Sequence, residues 1–150
     1  LQVDPGMTQD IAILSVPPFS ALCNLAFALR REVFVLEQQV PEEEELDEHD
    51  LLATHFVAIS GGEVVGTLRL VQTQQHVKIG RVAVRMSARG RGIAKAMMIT
   101  GMDAMRHRGR DRFCLAAQAD KLGFYEKLGF TAFGDVFDDA GIPHLSMRNY

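Results

Sequence analysis

The chain has 150 residues, of which 47% are hydrophobic and 23% are charged, and these values are typical of one globular domain. A chain of this length buries enough of its surface to hold an ordinary hydrophobic core. Its net charge of −3 disfavours a nucleic-acid-binding domain, because such domains are usually strongly basic. No apolar run approaches about 18 residues, so we predict no membrane-spanning helix and no membrane partner.

We interpret residues 1–150 as a single domain, because no linker and no internal repeat divides the chain. Residues 1–6 lack the basic start of a signal peptide and are interpreted as an addition before a natural start at Met7. The two cysteines, Cys23 and Cys114, lie among apolar residues and outside any Cys-x-x-Cys motif. We predict two buried free thiols and a cytoplasmic protein; a catalytic cysteine is the alternative.

The first half of the chain predicts a strand, a helix and then three strands. Residues 10–16 form an apolar run that Pro17 and Pro18 end. Ser20 is a candidate N-cap for a helix that ends before Pro41. The predicted apolar stripe of this helix consists of Phe19, Leu22, Leu25, Leu29 and Val33. Three further runs predict an antiparallel meander with a Gly-Gly hairpin turn: residues 54–60, 63–71 and 76–84.

An acidic segment, residues 41–50, separates the helix from the meander. Acidic side chains after a proline suit the start of a helix, so we predict a short helix or a loop. Our main interpretation is a solvated acidic face. The alternative is a rim that attracts a cationic substrate.

The second half of the chain alternates helices and strands. In the segment 93–108, Ile93, Met97, Ala104 and Met105 recur near one helical face, and Gly109 is a suitable C-terminal stop. The remaining predicted elements are a strand at 113–117, a helix at 119–128 and strands at 131–137 and 144–150, with a turn at 138–143. The element order is β-α-(α)-β-β-β-α-β-α-β-β.

The loop between the third strand of the meander and the next helix carries the chemistry, and it reads Arg89-Gly90-Arg91-Gly92-Ile93-Ala94. The start of a helix exposes unpaired N–H groups and the positive end of its dipole. The two glycines let the backbone approach a ligand closely, and the two arginines add positive charge. The loop therefore predicts a pyrophosphate site, although it is neither a dinucleotide fingerprint nor a P-loop.

This loop resembles the coenzyme A loop of the GNAT superfamily of N-acetyltransferases, with Arg89, Gly92 and Ala94 at the positions of the family pattern. The segment FYEKLGF, residues 124–130, resembles a second family motif. Residues 31–41 and 138–147 resemble the ElaA-type subgroup of small bacterial acetyltransferases. The resemblance implies an α/β (α+β) fold: a mixed, mostly antiparallel sheet of about seven strands, flanked by about four helices, with splayed fourth and fifth strands.

The resemblance also implies acetyl-CoA as cosubstrate and no metal. Backbone N–H groups of Val82, Ala83 and Val84 would bind the thioester carbonyl, and the loop 89–94, with Arg89, Gly90, Arg91, Gly92, Ile93 and Ala94, would hold the phosphates. Tyr125 would be the general acid for the leaving thiolate, since a phenol is protonated at neutral pH; a packing residue is the alternative. Gln118 stands where many members have asparagine and would contact the cosubstrate.

The acceptor is predicted to be an amine of a small molecule or a peptide. Removing its proton needs a base, and the candidates are Glu37, His144 and the Glu48-His49 pair, each with an equally plausible structural role. The rival hypothesis for function is a non-catalytic acyl-CoA-binding sensor on the same fold. A nucleic-acid site at residues 106–112 and a metal site at Asp47, His49 and Asp50 fit the sequence less well. A homodimer is a candidate assembly.

Overall fold

The structure, a computed structural model, describes residues 10–150, so the predictions for residues 1–6 and Met7 lie outside the described part. Seven strands form one sheet in the order β1-β2-β3-β4-β5-β7-β6. All neighbouring strands are antiparallel except the pair of β4 and β5. The strands are β1 Ala12–Val16, β2 Thr54–Ser60, β3 Glu63–Gln72, β4 Val77–Val84, β5 Phe113–Gln118, β6 Thr131–Asp139 and β7 Ile142–Arg148.

Within residues 10–150 the structure has four α-helices, and the GNAT-like fold class is confirmed. They are α1 Ala21–Arg30, α2 Glu42–Glu45, α3 Ile93–Arg106 and α4 Leu122–Glu126. A π-helical turn, Arg31–Glu37, continues α1, and shorter 3₁₀ turns flank the other helices. Helix α1 packs on one face of the sheet, and α3 and α4 pack on the other.

The start of α3 lies close to the sheet because β3 has a glycine beneath it. A Cβ atom at Gly66 would stand only 3.0 Å from the Ile93 Cγ2 and Met97 Cε atoms. Both side chains belong to the larger core cluster and are almost fully buried. The glycine therefore fixes where the first turn of α3 sits above β3 and β4.

The predicted apolar stripe of α1 is partly wrong. Leu29 and Val33 are buried, but Phe19 is 87% exposed and Leu25 is 52% exposed. The buried face of α1 contains Cys23, Ala26, Leu29 and Arg30. Small residues let the helix lie close to the sheet, and the buried arginine has carboxylate partners, so a count of large apolar residues selects the wrong face. The predicted cap is confirmed: the Cys23 N–H donates to Ser20 Oγ at 3.2 Å.

Other predictions need smaller corrections. The predicted helix at 119–128 is a 3₁₀ turn, Ala119–Lys121, followed by the short helix α4. The turn predicted at 138–143 is confined to Ala140 and Gly141, because Asp139 still pairs with Ile142. Both cysteines are free, but only Cys23 is buried, whereas Cys114 is half-buried on β5.

The parallel strands β4 and β5 separate soon after they begin. They pair only at three positions: Val77 with Phe113, Lys78 with Cys114, and Ile79 with Leu115. Beyond this point β4 continues to Val84 beside β3, while β5 continues to Gln118 beside β7. A β-bulge in β4 accompanies the separation, since Arg81 adopts a φ of 53° and the register with β3 shifts there. The predicted separation of the fourth and fifth strands is thus present.

Part of the acidic segment is buried, which corrects its interpretation as a solvated face. Arg30 binds the Glu45 carboxylate at 2.6 and 2.7 Å and the Asp50 carboxylate at 2.7 Å. Arg69 binds Asp47 and Asp50 at 2.6 and 2.9 Å. Burial alone would raise the pKa of Asp50, but the hydrogen bonds from Arg30 and the Asp47 backbone, together with Arg69, outweigh it and hold the pKa well below its usual range. The stability that this carboxylate contributes is present above the pKa of the unfolded chain, about 4, and is lost as pH falls below it.

Replacing Arg30 by methionine is expected to lower the free energy of unfolding by about 3–5 kcal/mol, because two buried carboxylates lose their main partner. Arg31→Met is the matched control, since Arg31 pairs with Glu42 on the surface and such pairs contribute about 0–1 kcal/mol. Urea unfolding at neutral pH measures the free energy of unfolding of both variants. Equal losses in the two variants would contradict the importance of the buried network.

Candidate active site

A cleft of about 960 Å³ opens where β4 and β5 separate. One wall comes from β4 and the start of α3, and the other comes from β5, α4 and the β6–β7 hairpin. The predicted site residues that line it are Val82, Ala83, Val84, Arg89, Gly90, Gly92, Ile93, Ala94, Gln118, Tyr125, His144 and, from the Glu48-His49 pair, His49. Two remote motifs of the sequence, residues 89–94 and 124–130, therefore meet at one cleft.

The open edge of β4 presents backbone donors to this cleft. The Arg85 N–H donates to the Val65 carbonyl on the β3 side at 2.8 Å. Backbone groups alternate in direction along a strand, so the N–H groups of Val82 and Val84 point the other way, into the gap. The bulge at Arg81 decides which N–H groups face the gap, because the extra residue reverses the alternation of backbone directions along β4. The gap can therefore receive a ligand that pairs with strand edges.

The loop before α3 forms the end of the cleft. Gly90 and Gly92 have φ values of 82° and 76°, and a Cβ atom at either would meet no atom within 4 Å. The first intrahelical bond runs from the Ala96 N–H to the Gly92 carbonyl at 3.0 Å, so the N–H groups of residues 93–95 have no partner within the helix. This arrangement of open space and free donors suits an anion such as a pyrophosphate.

The two arginines of the loop point in different directions. Arg89 binds the Glu37 carboxylate with two nitrogens, at 2.7 and 2.8 Å, and its Nε atom donates to the Val84 carbonyl at 3.0 Å. Arg91 donates to Ser60 Oγ at 2.9 Å, at the β2–β3 hairpin, and is not a lining residue of the cleft. Glu37 is thus an ion-pair partner of Arg89 at the loop end of the cleft.

Tyr125 lies on the opposite wall, in α4. Its ring makes edge-to-face contacts with Phe124 and Phe130, at centroid distances of 5.0 and 6.3 Å. Burial raises the pKa of the Tyr125 hydroxyl to about 12. The phenol is therefore protonated throughout the physiological range and is available there as a hydrogen-bond donor.

Gln118 and His144 lie side by side on the wall that β5 and the β6–β7 hairpin form. Gln118, at the end of β5, donates from Nε2 to the Gln38 Oε1 atom at 2.9 Å, and Gln38 follows the π-helical turn on the other wall. His144 lies beside Gln118 in the sheet, and its Nδ1 atom is 2.7 Å from the Ile142 carbonyl. A carbonyl can only accept, so Nδ1 carries the proton and Nε2 of the neutral ring is left as an acceptor. Phe137 stacks against the imidazole.

Sequence reasoning missed the cationic side of the cleft. Lys78, Gly80 and Arg81 of β4 and Arg69 of β3 line it, together with Glu44 from the acidic segment. Nothing in the local pattern of β3 or β4 marks these residues, because their partners lie about 20 to 36 positions away. The one usable signal is the alternation of β4. It places every second side chain on one face, and so predicts that Lys78 and Gly80 share a surface.

The fold and the cleft define a class of acyl-CoA-dependent N-acyltransferases. The chain belongs to the GNAT family: the acetyltransferase (GNAT) domain matches residues 18–150. It is 39% identical over 123 residues to the uncharacterised N-acetyltransferase YjcF of Bacillus subtilis, covering 81% of this chain and 88% of that protein. It is 32% identical over 140 residues to the protein ElaA of Escherichia coli, covering 89% and 88% of the two chains.

Solved structures agree with this membership. An acyl-CoA N-acyltransferase from Pseudomonas aeruginosa superimposes with a TM-score of 0.85 at 31% identity, covering 94% of this chain and 100% of that one. The crystal structure of Escherichia coli ElaA gives a TM-score of 0.84 at 27% identity in the superposed residues, with the same coverage. The resemblance to the ElaA-type subgroup is confirmed.

Two further observations concern other functions. Across residues 10–150, no group of three or more His, Cys, Asp or Glu residues is arranged to hold a metal ion. Asp47 and Asp50, named above as metal-ligand candidates, are bound by arginines instead. In the same part of the chain no helix is long and apolar enough to cross a membrane.

The raised pKa of Tyr125 can be tested by absorbance. Between about pH 8 and pH 10.5, wild type and Tyr125→Phe are expected to develop the same phenolate absorbance, because Tyr125 stays protonated until near pH 12. The measurement is a difference titration of the folded proteins near the phenolate band. An additional phenolate in the wild type with a midpoint near pH 10 would contradict the burial of this hydroxyl.

Proposed function

We propose that this protein transfers an acetyl group from acetyl-CoA to a primary amine, by direct attack within a ternary complex. The observation that carries the proposal is the single cleft that joins the glycine loop, the open edge of β4, Tyr125 and His144. Family membership supports an acyl-CoA cosubstrate. The acceptor class and the roles of individual residues are inferred below from the geometry of the cleft.

The cleft fits acetyl-CoA in three ways. The loop 89–94 offers backbone donors and open space for the pyrophosphate. The gap between β4 and β5 offers strand edges that the amides of the pantetheine arm would extend. The N–H groups of Val82 and Val84 face this gap, where a carbonyl that becomes an oxyanion would need fixed donors. One such donor typically contributes about 3–4 kcal/mol to the transition state.

Transfer needs a base because an alkylamine is almost entirely protonated at neutral pH. His144 is the better candidate in this structure, since it lines the cleft from within the sheet and its hydrogen bond to Ile142 leaves Nε2 free to accept. His49 also lines the cleft, but it lies on the exposed 3₁₀ turn Glu48–Leu51. Glu37 binds Arg89 on the phosphate side. We assign Glu37 the role of positioning Arg89 and assign His144 the role of general base.

Tyr125 serves the leaving sulfur as a hydrogen-bond donor. A thiol has a reference pKa near 8.5, about 3.5 units below the value of about 12 for Tyr125. Complete proton transfer to a thiolate in water-like surroundings would therefore cost about 5 kcal/mol. In the proposed reaction the amine nitrogen attacks the thioester carbon, the C–S bond breaks, and the thiolate is stabilised by the phenol. Nε2 of His144 takes one proton from the protonated amine before the attack. The second proton, which the nitrogen loses as the amide forms, passes to the thiolate, which leaves as the CoA thiol.

The function is tested by incubating the protein with acetyl-CoA and a panel of primary amines, with CoA release and acetylated product measured together. Equal amounts of both, dependent on an amine, are expected. Tyr125→Phe is expected to lower kcat by about 10²-fold or more. Binding of acetyl-CoA without transfer to any amine would favour the sensor hypothesis and contradict the proposed activity.

The base is tested with His144→Gln beside Glu37→Gln. We expect His144→Gln to lower kcat by about 10²–10⁴-fold. Glu37→Gln is expected to keep kcat within about threefold and to change mainly the KM for acetyl-CoA. The reverse pattern would make Glu37 the base.

A further inference from the structure

The floor of the cleft contains a buried arginine with an unused donor. Arg69 lies on β3 directly opposite Gly80 on β4, and both line the cleft. Two nitrogens of its guanidinium have carboxylate partners: Nη1 donates to Asp47 and Asp50, and Nη2 donates to Asp47 at 2.8 Å. The Nε atom is buried and has no hydrogen-bond partner within residues 10–150. A buried donor without a partner is rare in folded proteins and calls for an explanation.

The position of Gly80 places open space beside this donor. A Cβ atom at residue 80 would have a single neighbour within 4 Å, the Arg69 Nε atom at 3.9 Å. A ligand oxygen that enters this space over Gly80 needs to approach Nε by only about 1 Å more to form a hydrogen bond. Any side chain at position 80 would fill the space.

The electrostatics of this point favour an anion. Arg30, Arg69 and Arg81 are balanced by the carboxylates of the buried network, which are Glu45, Asp47 and Asp50. Lys78 stands two residues from Gly80, on the same face of β4, and adds a positive charge that this network does not neutralise. The carboxylates of Glu44 and Asp139 also line the cleft, but they come from α2 and the end of β6 rather than from the strands under this point.

We propose that the acceptor carries a carboxylate, which binds over Gly80 between the Arg69 Nε atom and the Lys78 ammonium group. The inference rests on the proposed transferase function and names its substrate class. Gly80 is two residues from Val82, at most about 7 Å along the strand, because the bulge at Arg81 lies between them. The carboxylate and the reacting amine thus belong to one small molecule, and the acceptor is an amino acid or a short amino carboxylate.

The test compares each acid with its carboxamide. The panel contains the protein amino acids and short ω-amino acids, each beside its amide, in the wild type and four variants. Gly80→Ala places a methyl group against Nε at an ordinary contact distance, and Lys78→Gln removes the ammonium group. Gly123→Ala, where an added methyl meets no atom within 4 Å, and Arg108→Gln, which removes a positive charge from the surface after α3, are the matched controls.

Two readouts are used: kcat/KM for acetyl transfer, and calorimetric binding of the same compounds in the presence of CoA. We expect at least one acid to exceed its amide by about 10-fold or more in both readouts. Gly80→Ala and Lys78→Gln should bring this ratio close to one, while the two controls keep it. Binding that depends on the carboxylate without any transfer would support the subsite and contradict the proposed activity.

Three outcomes would overturn the inference. Amines that lack a carboxylate could be acetylated as well as the acids, which would leave the transferase function intact. The ratio could persist in Gly80→Ala. Finally, calorimetry could show that none of the acids binds when CoA is present.

Discussion

The separation of β4 and β5 is the constraint on which the rest of the structure depends. Two parallel strands that pair at only three positions leave this edge of β4 without a neighbouring strand from Gly80 to Val84, within residues 10–150. Unpaired backbone groups are costly when they are buried, so such an edge persists only beside solvent or a ligand. The bulge at Arg81 turns the N–H groups of Val82 and Val84 toward this gap. The glycine loop and Tyr125 then lie at the two walls of one cleft.

The buried arginine network connects this gap to the helices. Arg30 of α1 and Arg69 of β3 share Asp50. Arg81, at the bulge, donates to the Glu45 carbonyl at 3.0 Å and to Asp47 at 3.2 Å. The same charges therefore anchor the acidic segment and hold the bulge of β4. Burying so many charges favours folding only when all are paired, which makes the network sensitive to the loss of one member.

Much of the fold and of the cosubstrate side could be predicted from sequence, because the signals are local. The loop 89–94 and the segment 124–130 keep fixed spacings, and the strands alternate or run apolar. The arginine and carboxylate network beside the cleft could not be predicted. Glu45 and Asp50 sit in a run of acidic residues that looks solvated, and their partner Arg30 lies 15 and 20 positions away. The buried face of α1 uses cysteine, alanine and arginine, which hydrophobic periodicity does not count.

The most direct measurement is calorimetric titration of acetyl-CoA into the wild type, Gly92→Trp and Gly61→Trp. Both glycines have positive φ values and open surroundings, so the two substitutions impose similar backbone strain, but only Gly92 lies in the loop before α3. The wild type and Gly61→Trp should bind with the same dissociation constant, in the micromolar range, and Gly92→Trp should not bind. Absence of binding by the wild type, or equal binding by Gly92→Trp, would contradict the assignment of this cleft to acetyl-CoA.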